Sequence, residues 1–100
     1  MEEDNLQLGG NIELSGFGIL DRGVMVILKK IVGNYARKMS DTSRNFEKLS
    51  LRMKTVHDSK YELHAKLMDN GKAFASSATE RNVFVAVDSA LKKIMKEIGR

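Results

Sequence analysis

"LMDNGKAFASSATERNVFVAVDSALKKIMKEI", residues 67–98, is the stretch whose reading decides the fold. It begins as the end of an alternating strand, turns at Asn70-Gly71, and returns as a strand of Ala, Ser and Thr before becoming an amphipathic helix. Asn-Gly is the strongest short hairpin signal, because both central residues of a type I′ turn need positive φ. The returning strand puts Phe74, Ser76 and Ala78 on one face. Their decreasing size has a physical reading: a helix passes close above them, and larger side chains there would overpack the layer. That helix opens on Asn82 or Thr79 as cap and carries Val83, Val87, Leu91, Ile94 and Ile98 as an apolar stripe.

Working outward, Tyr61, Leu63, Ala65 and Leu67 alternate with Glu62, His64 and Lys66. Across a turn at His57-Asp58-Ser59-Lys60, Leu49, Leu51 and Met53 alternate with Ser50, Arg52 and Lys54. Before these strands, Val24, Ile27, Leu28, Ile31, Tyr35 and Met39 recur at helical spacing behind an Asp21 cap, with a stop near Ser40-Asp41. Gly23 and Gly33 each cost that helix roughly 1 kcal/mol relative to alanine, so its helicity leans on packing. Asn11 to Gly16 reads as a short strand, with Ile12 and Leu14 opposed to Glu13. Residues 1–10, ending in Gly9-Gly10, read as a flexible acidic lead, and residues 11–100 as a single domain. The expected fold is therefore an α+β two-layer sandwich in βαβββα order, a four-stranded sheet with two helices on one face.

Composition excludes several function classes. The chain has 100 residues, 42% hydrophobic and 30% charged, which suits one modest core rather than a disordered segment. There is no cysteine, so thiol catalysis, disulfide staples and cysteine zinc sites fall away. His57 and His64 have no carboxylates at ligand spacing, Gly16-Phe17-Gly18 lacks the lysine and Ser/Thr of a phosphate-binding loop, and no serine has a nucleophile-elbow context. We expect no enzyme, no metal, no cofactor and no small-molecule substrate. No apolar run approaches the ~20 residues that span a bilayer. The acidic start is not a targeting peptide, and a cytoplasmic protein without membrane contact is expected.

Charge points toward an anionic partner. The net charge is +4, and setting aside Glu2, Glu3 and Asp4 leaves +7 on the rest. On helical wheels Arg22, Lys29, Lys30 and Arg37 fall within roughly 100° of one another, opposite the apolar stripe of the first helix. Lys92, Lys93, Lys96 and Arg100 do the same on the last. Charged solvent faces are ordinary, and lysines late in a helix also favour its dipole. The sign ratio argues for more: the two helices hold nine Lys or Arg residues, with Asp88 and Glu97 as the counter-charges well inside them. Two basic ridges flanking a groove match the phosphates of a folded RNA. The open sheet face, with Arg52, Lys54, His64, Lys66 and Glu62, lacks the aromatic pairs on which unpaired bases stack.

The segment "YELHAKLMDNGKAFASSATERNVFVAVDSALKKIMKEI" resembles the ribosome hibernation-promoting factors, or ribosome-associated translation inhibitors, in their short form. The likeness lies in a strand, a Gly-containing hairpin, a strand of small residues, and Asn82-Val83-Phe84-Val85-Ala86-Val87-Asp88 opening the helix before Lys93-Ile94 and Lys96. "LKKIVGNYARKM" is similar to the family's first helix, and the βαβββα order covers about residues 11–98. Phe84-Val85 departs from the family's usual Tyr-Ala. The resemblance implies a non-enzymatic stress-response factor that binds small-subunit rRNA and blocks mRNA and tRNA in idle ribosomes. It places Arg22, Lys29, Lys30, Arg37, Lys92, Lys93 and Lys96 on the RNA. Two other readings stay open: a double-stranded RNA-binding module, whose layout is similar, and a protein-interaction or self-association module using a sheet edge.

Overall fold

A computed structural model of the chain describes residues 5–57 and 59–99. The elements are β1 (Asn5–Gly9), β2 (Ile12–Ser15), α1 (Arg22–Thr42), β3 (Phe46–Val56), β4 (Lys60–Asp69), β5 (Lys72–Glu80) and α2 (Val83–Ile98). The acidic Glu2-Glu3-Asp4, Asp58 of the expected turn and Arg100 of the last basic cluster lie outside the described residues.

The hairpin that anchors the sequence reading forms as expected. Asn70 and Gly71 take φ of 54° and 80°, and β4 pairs with β5 antiparallel from Tyr61↔Glu80 to Asp69↔Lys72 without a shift of register. The small residues of β5 meet a helix. Ser76 Oγ donates to the Ala90 carbonyl at 2.6 Å, so the backbone of α2 passes within hydrogen-bond reach of the strand. Asn82 caps α2, its side-chain oxygen accepting from the Phe84 and Val85 amides at 2.8 and 3.2 Å. Asp21 caps α1 through the Val24 amide at 2.9 Å. Each cap satisfies a donor that the helix cannot satisfy internally.

The sheet departs from expectation in strand number. It has five strands in the order β1-β2-β3-β4-β5, and the extra one comes from residues read above as a flexible lead. Leu6 lies opposite Leu14, and Gln7 opposite Glu13, with a shift of register after Gln7. Gly10 and Asn11, at φ of 57° and 65°, close a two-residue turn of the kind Asn-Gly makes in β4–β5. Two apolar positions, Leu6 and Leu8, are too few to set a period, so the turn chemistry was the stronger signal. The sheet is also mixed: β2 and β3 are parallel, in register Ile12↔Leu49 to Ser15↔Arg52, while every other pair is antiparallel. α1 is the crossover that a parallel pair requires.

One core joins the layers. Leu14, Leu49, Leu51, Leu63 and Leu67 from the sheet meet Leu28, Val32, Met39, Val87, Leu91 and Ile94 from the helices, all nearly inaccessible to solvent. The face that α1 buries overlaps the expected one but is rotated from it. Leu28 and Met39 are buried and Val24, Ile31 and Tyr35 pack half-buried against the core, as expected, but Val32 and Ala36 are buried too and Ile27 is 50% exposed. That is a roll of roughly 50° on the wheel. Leu8, Leu20 and Met25 pack half-buried against the same core.

Candidate nucleic-acid interface

Each helix follows one of the parallel-running strands β2 and β5 and returns along the same face, so α1 and α2 lie side by side and point the same way. A clasp joins them. The Tyr35 hydroxyl donates to Asp88 Oδ1 at 2.6 Å, Lys92 Nζ lies 3.4 Å from the other carboxylate oxygen, and Lys38 Nζ sits 5.6 Å from the Tyr35 ring centroid. Burial, then the hydrogen bond to Asp88, pushes the Tyr35 phenol up to about 12. The Tyr35 hydroxyl is also the main cause holding Asp88 below the usual carboxylate range, with Lys92 adding to it and partial burial opposing it.

This arrangement refines the picture of two ridges and an open basic groove. Arg22, Lys29, Lys30, Arg37, Lys92, Lys93 and Lys96 are all exposed, but they do not form one surface. Lys30 and Arg37 stand on the crest of α1, and Lys92 and Lys96 on that of α2, opposite the buried faces. Arg22 and Lys29 have turned to the outer flank with the roll of α1, where they line a depression with Leu6, Phe17, Leu20 and Met25. Lys93 bends to the other flank, its ammonium donating to the Ser77 carbonyl at 2.7 Å. Asp88 stands between the helices, so the cationic crests flank a negative charge at the midpoint of the groove. Lys38 was absent from the expected set and faces the clasp. Its spacing of three from Tyr35 was the available signal.

The open sheet face mixes signs. Glu13 pairs with Lys48 at 2.8 Å, and Glu62 contacts the His64 ring and is held below its ordinary range mainly by that contact. Arg52, Lys54 and Lys66 are exposed around them, with no aromatic side chain among the open-face positions of β3 and β4. Among the described residues no three His, Cys, Asp or Glu side chains come together in a way that holds a metal ion. No helix of the described residues is long and apolar enough to cross a membrane.

The clasp makes a testable statement about pH. Replacing Tyr35 by Phe is expected to cost about 1 kcal/mol at neutral pH, since it removes a part-buried hydrogen bond to a charged acceptor. Asp88 is depressed, so its contribution is present above the unfolded carboxylate range near pH ~4 and lost as acid protonates it. Tyr35 is raised, so its contribution is present below about 10 and is lost as pH climbs toward about 12. Urea titrations of both proteins across pH check this. The stability gap should be flat near neutrality and close at both ends, and a gap independent of pH would show that the clasp contributes nothing.

No protein-family model matches the sequence, and no curated protein matches it. Among solved structures, a ribosomal subunit interface protein from Coxiella burnetii aligns with a TM-score of 0.60 over 87% of this chain and 91% of its own, at 12% identity. The two chains share a fold. The resemblance drawn from the final hairpin and helix therefore holds at the level of architecture. At 12% identity the ribosomal subunit interface protein and this chain have the same sandwich while most side chains differ. The charges on the helix crests must accordingly be argued from this chain's own geometry.

Proposed function

We propose that the chain is a non-enzymatic ribosome-associated factor, working in the cytoplasm, that binds small-subunit rRNA through its helix crests and obstructs mRNA and tRNA binding in idle ribosomes. The observation that carries this reading is the fold shared with a ribosomal subunit interface protein across 87% of the chain. The cationic crests add the chemistry that a phosphate surface needs: Lys30, Arg37, Lys92 and Lys96 project from two parallel helices that the Tyr35–Asp88 clasp ties together. Arg22, Lys29 and Lys93 then lie at the margins of the contact, and Lys38 beside its centre. Sedimentation of cell extract through a sucrose gradient tests the proposal. Co-migration with small subunits or whole ribosomes is the expected result, and recovery only in the top fractions sinks it. Competition separates the double-stranded RNA reading: a free RNA duplex should fail to strip the protein from ribosomes at concentrations matching the rRNA.

A further inference from the structure

β5 forms one margin of the sheet, and among the described residues no strand pairs with its outer side. The row of N–H and C=O groups along such an edge is a template for another strand unless it is short, bulged, charged or covered. β1, at the other margin, has five residues and an irregular register. β5 has nine residues, an unbroken register with β4, no proline, and no charged side chain between Lys72 and Glu80. Ala73, Ala75, Ser77 and Thr79 are all exposed along it.

Lys93 identifies which backbone groups face outward, because its ammonium reaches the Ser77 carbonyl at 2.7 Å. In an antiparallel strand alternate residues present both backbone groups to the same side. Ala73, Ala75, Ser77 and Thr79 therefore offer theirs to solvent, and Lys93 covers one of the acceptors.

We propose that β5 pairs with β5 of a second copy of this chain, antiparallel about a two-fold axis at Ser76, merging two sheets into one. In that register Ala75 of each copy exchanges hydrogen bonds with Ser77 of the other, and Lys72 of each lies directly opposite Glu80 of the other. The strand is self-complementary in charge, as an isologous contact requires. Directly opposed Lys–Glu pairs stabilise an antiparallel ladder, whereas parallel pairing would set Lys72 beside Lys72. The Ala75 amide of the second copy takes over the Ser77 carbonyl that Lys93 holds in the single chain. Lys93 thus acts as a latch on the edge, opposing association until it is displaced. None of this depends on ribosome binding.

Sedimentation velocity of the full chain from micromolar to millimolar concentration provides the test. A monomer–dimer equilibrium is expected. Lys72→Glu should raise its Kd about tenfold, because both opposed pairs become repulsive, and adding Glu80→Lys should restore it. Ala75→Pro removes an outward N–H that β4 does not use, so it should abolish the dimer with the circular dichroism unchanged. Lys93→Ala, which frees the carbonyl, should lower the Kd by about threefold or more. The proposal is overturned by a strictly monomeric protein in both the wild type and Lys93→Ala. A dimer indifferent to Ala75→Pro and to the charge reversal overturns it equally.

Discussion

On the proposed function, changing Lys30, Arg37, Lys92 and Lys96 together to Glu is expected to release the chain from ribosomes without unfolding it. All four side chains are exposed and stand opposite the buried faces of their helices, so the core is untouched. The local cost is small. Lys92 has a solvated partner in Asp88 at 3.4 Å, and a glutamate there introduces a like-charge pair worth a few tenths of a kcal/mol. The effect on binding is large, because each lost phosphate contact also forfeits the release of condensed counterions. Four contacts should reduce the log–log salt slope by about 3 and the affinity on the order of a hundredfold at moderate salt. Binding measured against salt concentration checks both figures. The comparison variant reverses Arg52, Lys54 and Lys66 on the open sheet face and should lose far less. If the sheet variant fails to bind while the helix variant binds normally, the interface lies on the other side of the molecule.

Gly16→Ala is expected to produce the largest loss of stability from any single methyl group. Gly16 follows β2 with φ at +82°, and a Cβ built there would stand 2.1 Å from the Met53 carbonyl oxygen. That oxygen belongs to the backbone of β3 at Met53, which is held by pairing with Leu63 of β4 just beyond the end of the β2–β3 ladder, so it has little room to retreat. Strained backbone and a backbone clash together should cost about 3 kcal/mol or more. In a domain of this size that lowers the Tm by about 12 °C or more. Gly10→Ala is the matched control: it also has positive φ, at +57°, but nothing lies within 4 Å of the added carbon, so only the backbone term of about 1 kcal/mol applies. Equal losses in the two variants would mean that the contact with Met53 carries no weight.

The parts of the fold that were legible in sequence are those where local chemistry and long-range packing agree. Asn70-Gly71 dictates its own turn, and the dwindling of Phe74, Ser76 and Ala78 follows from the helix above them. α1 was harder to read because it carries two overlapping apolar stripes. Val24, Ile27, Leu28, Ile31, Tyr35 and Met39 compose one, and Leu28, Val32, Ala36 and Met39 the other. Local periodicity cannot rank them. What decides is packing against the sheet and α2, which lies outside any local pattern. The same roll that exposes Ile27 carries Arg22 and Lys29 from the crest to the flank of α1. Lys93 illustrates a different limit. Its wheel position is correct for a basic ridge, but a four-carbon stem reaches to either side, and the Ser77 carbonyl claims it.

The parallel pairing of β2 with β3 governs the order in which a growing polypeptide can complete this sandwich. Ile12 finds its partner at Leu49, with the whole of α1 between them, whereas β4 and β5 are joined by the Asn70-Gly71 turn and β3 pairs with β4 next in sequence. Closing the longer excursion carries an entropy cost before any contact offsets it, so local hairpins have the kinetic advantage. During synthesis the β1–β2 ribbon and α1 emerge first, but the flank they complete does not yet exist. They must wait, with Leu14 and Val32 in solvent, until Leu51 has left the exit tunnel and the second half of the sheet has assembled to receive them.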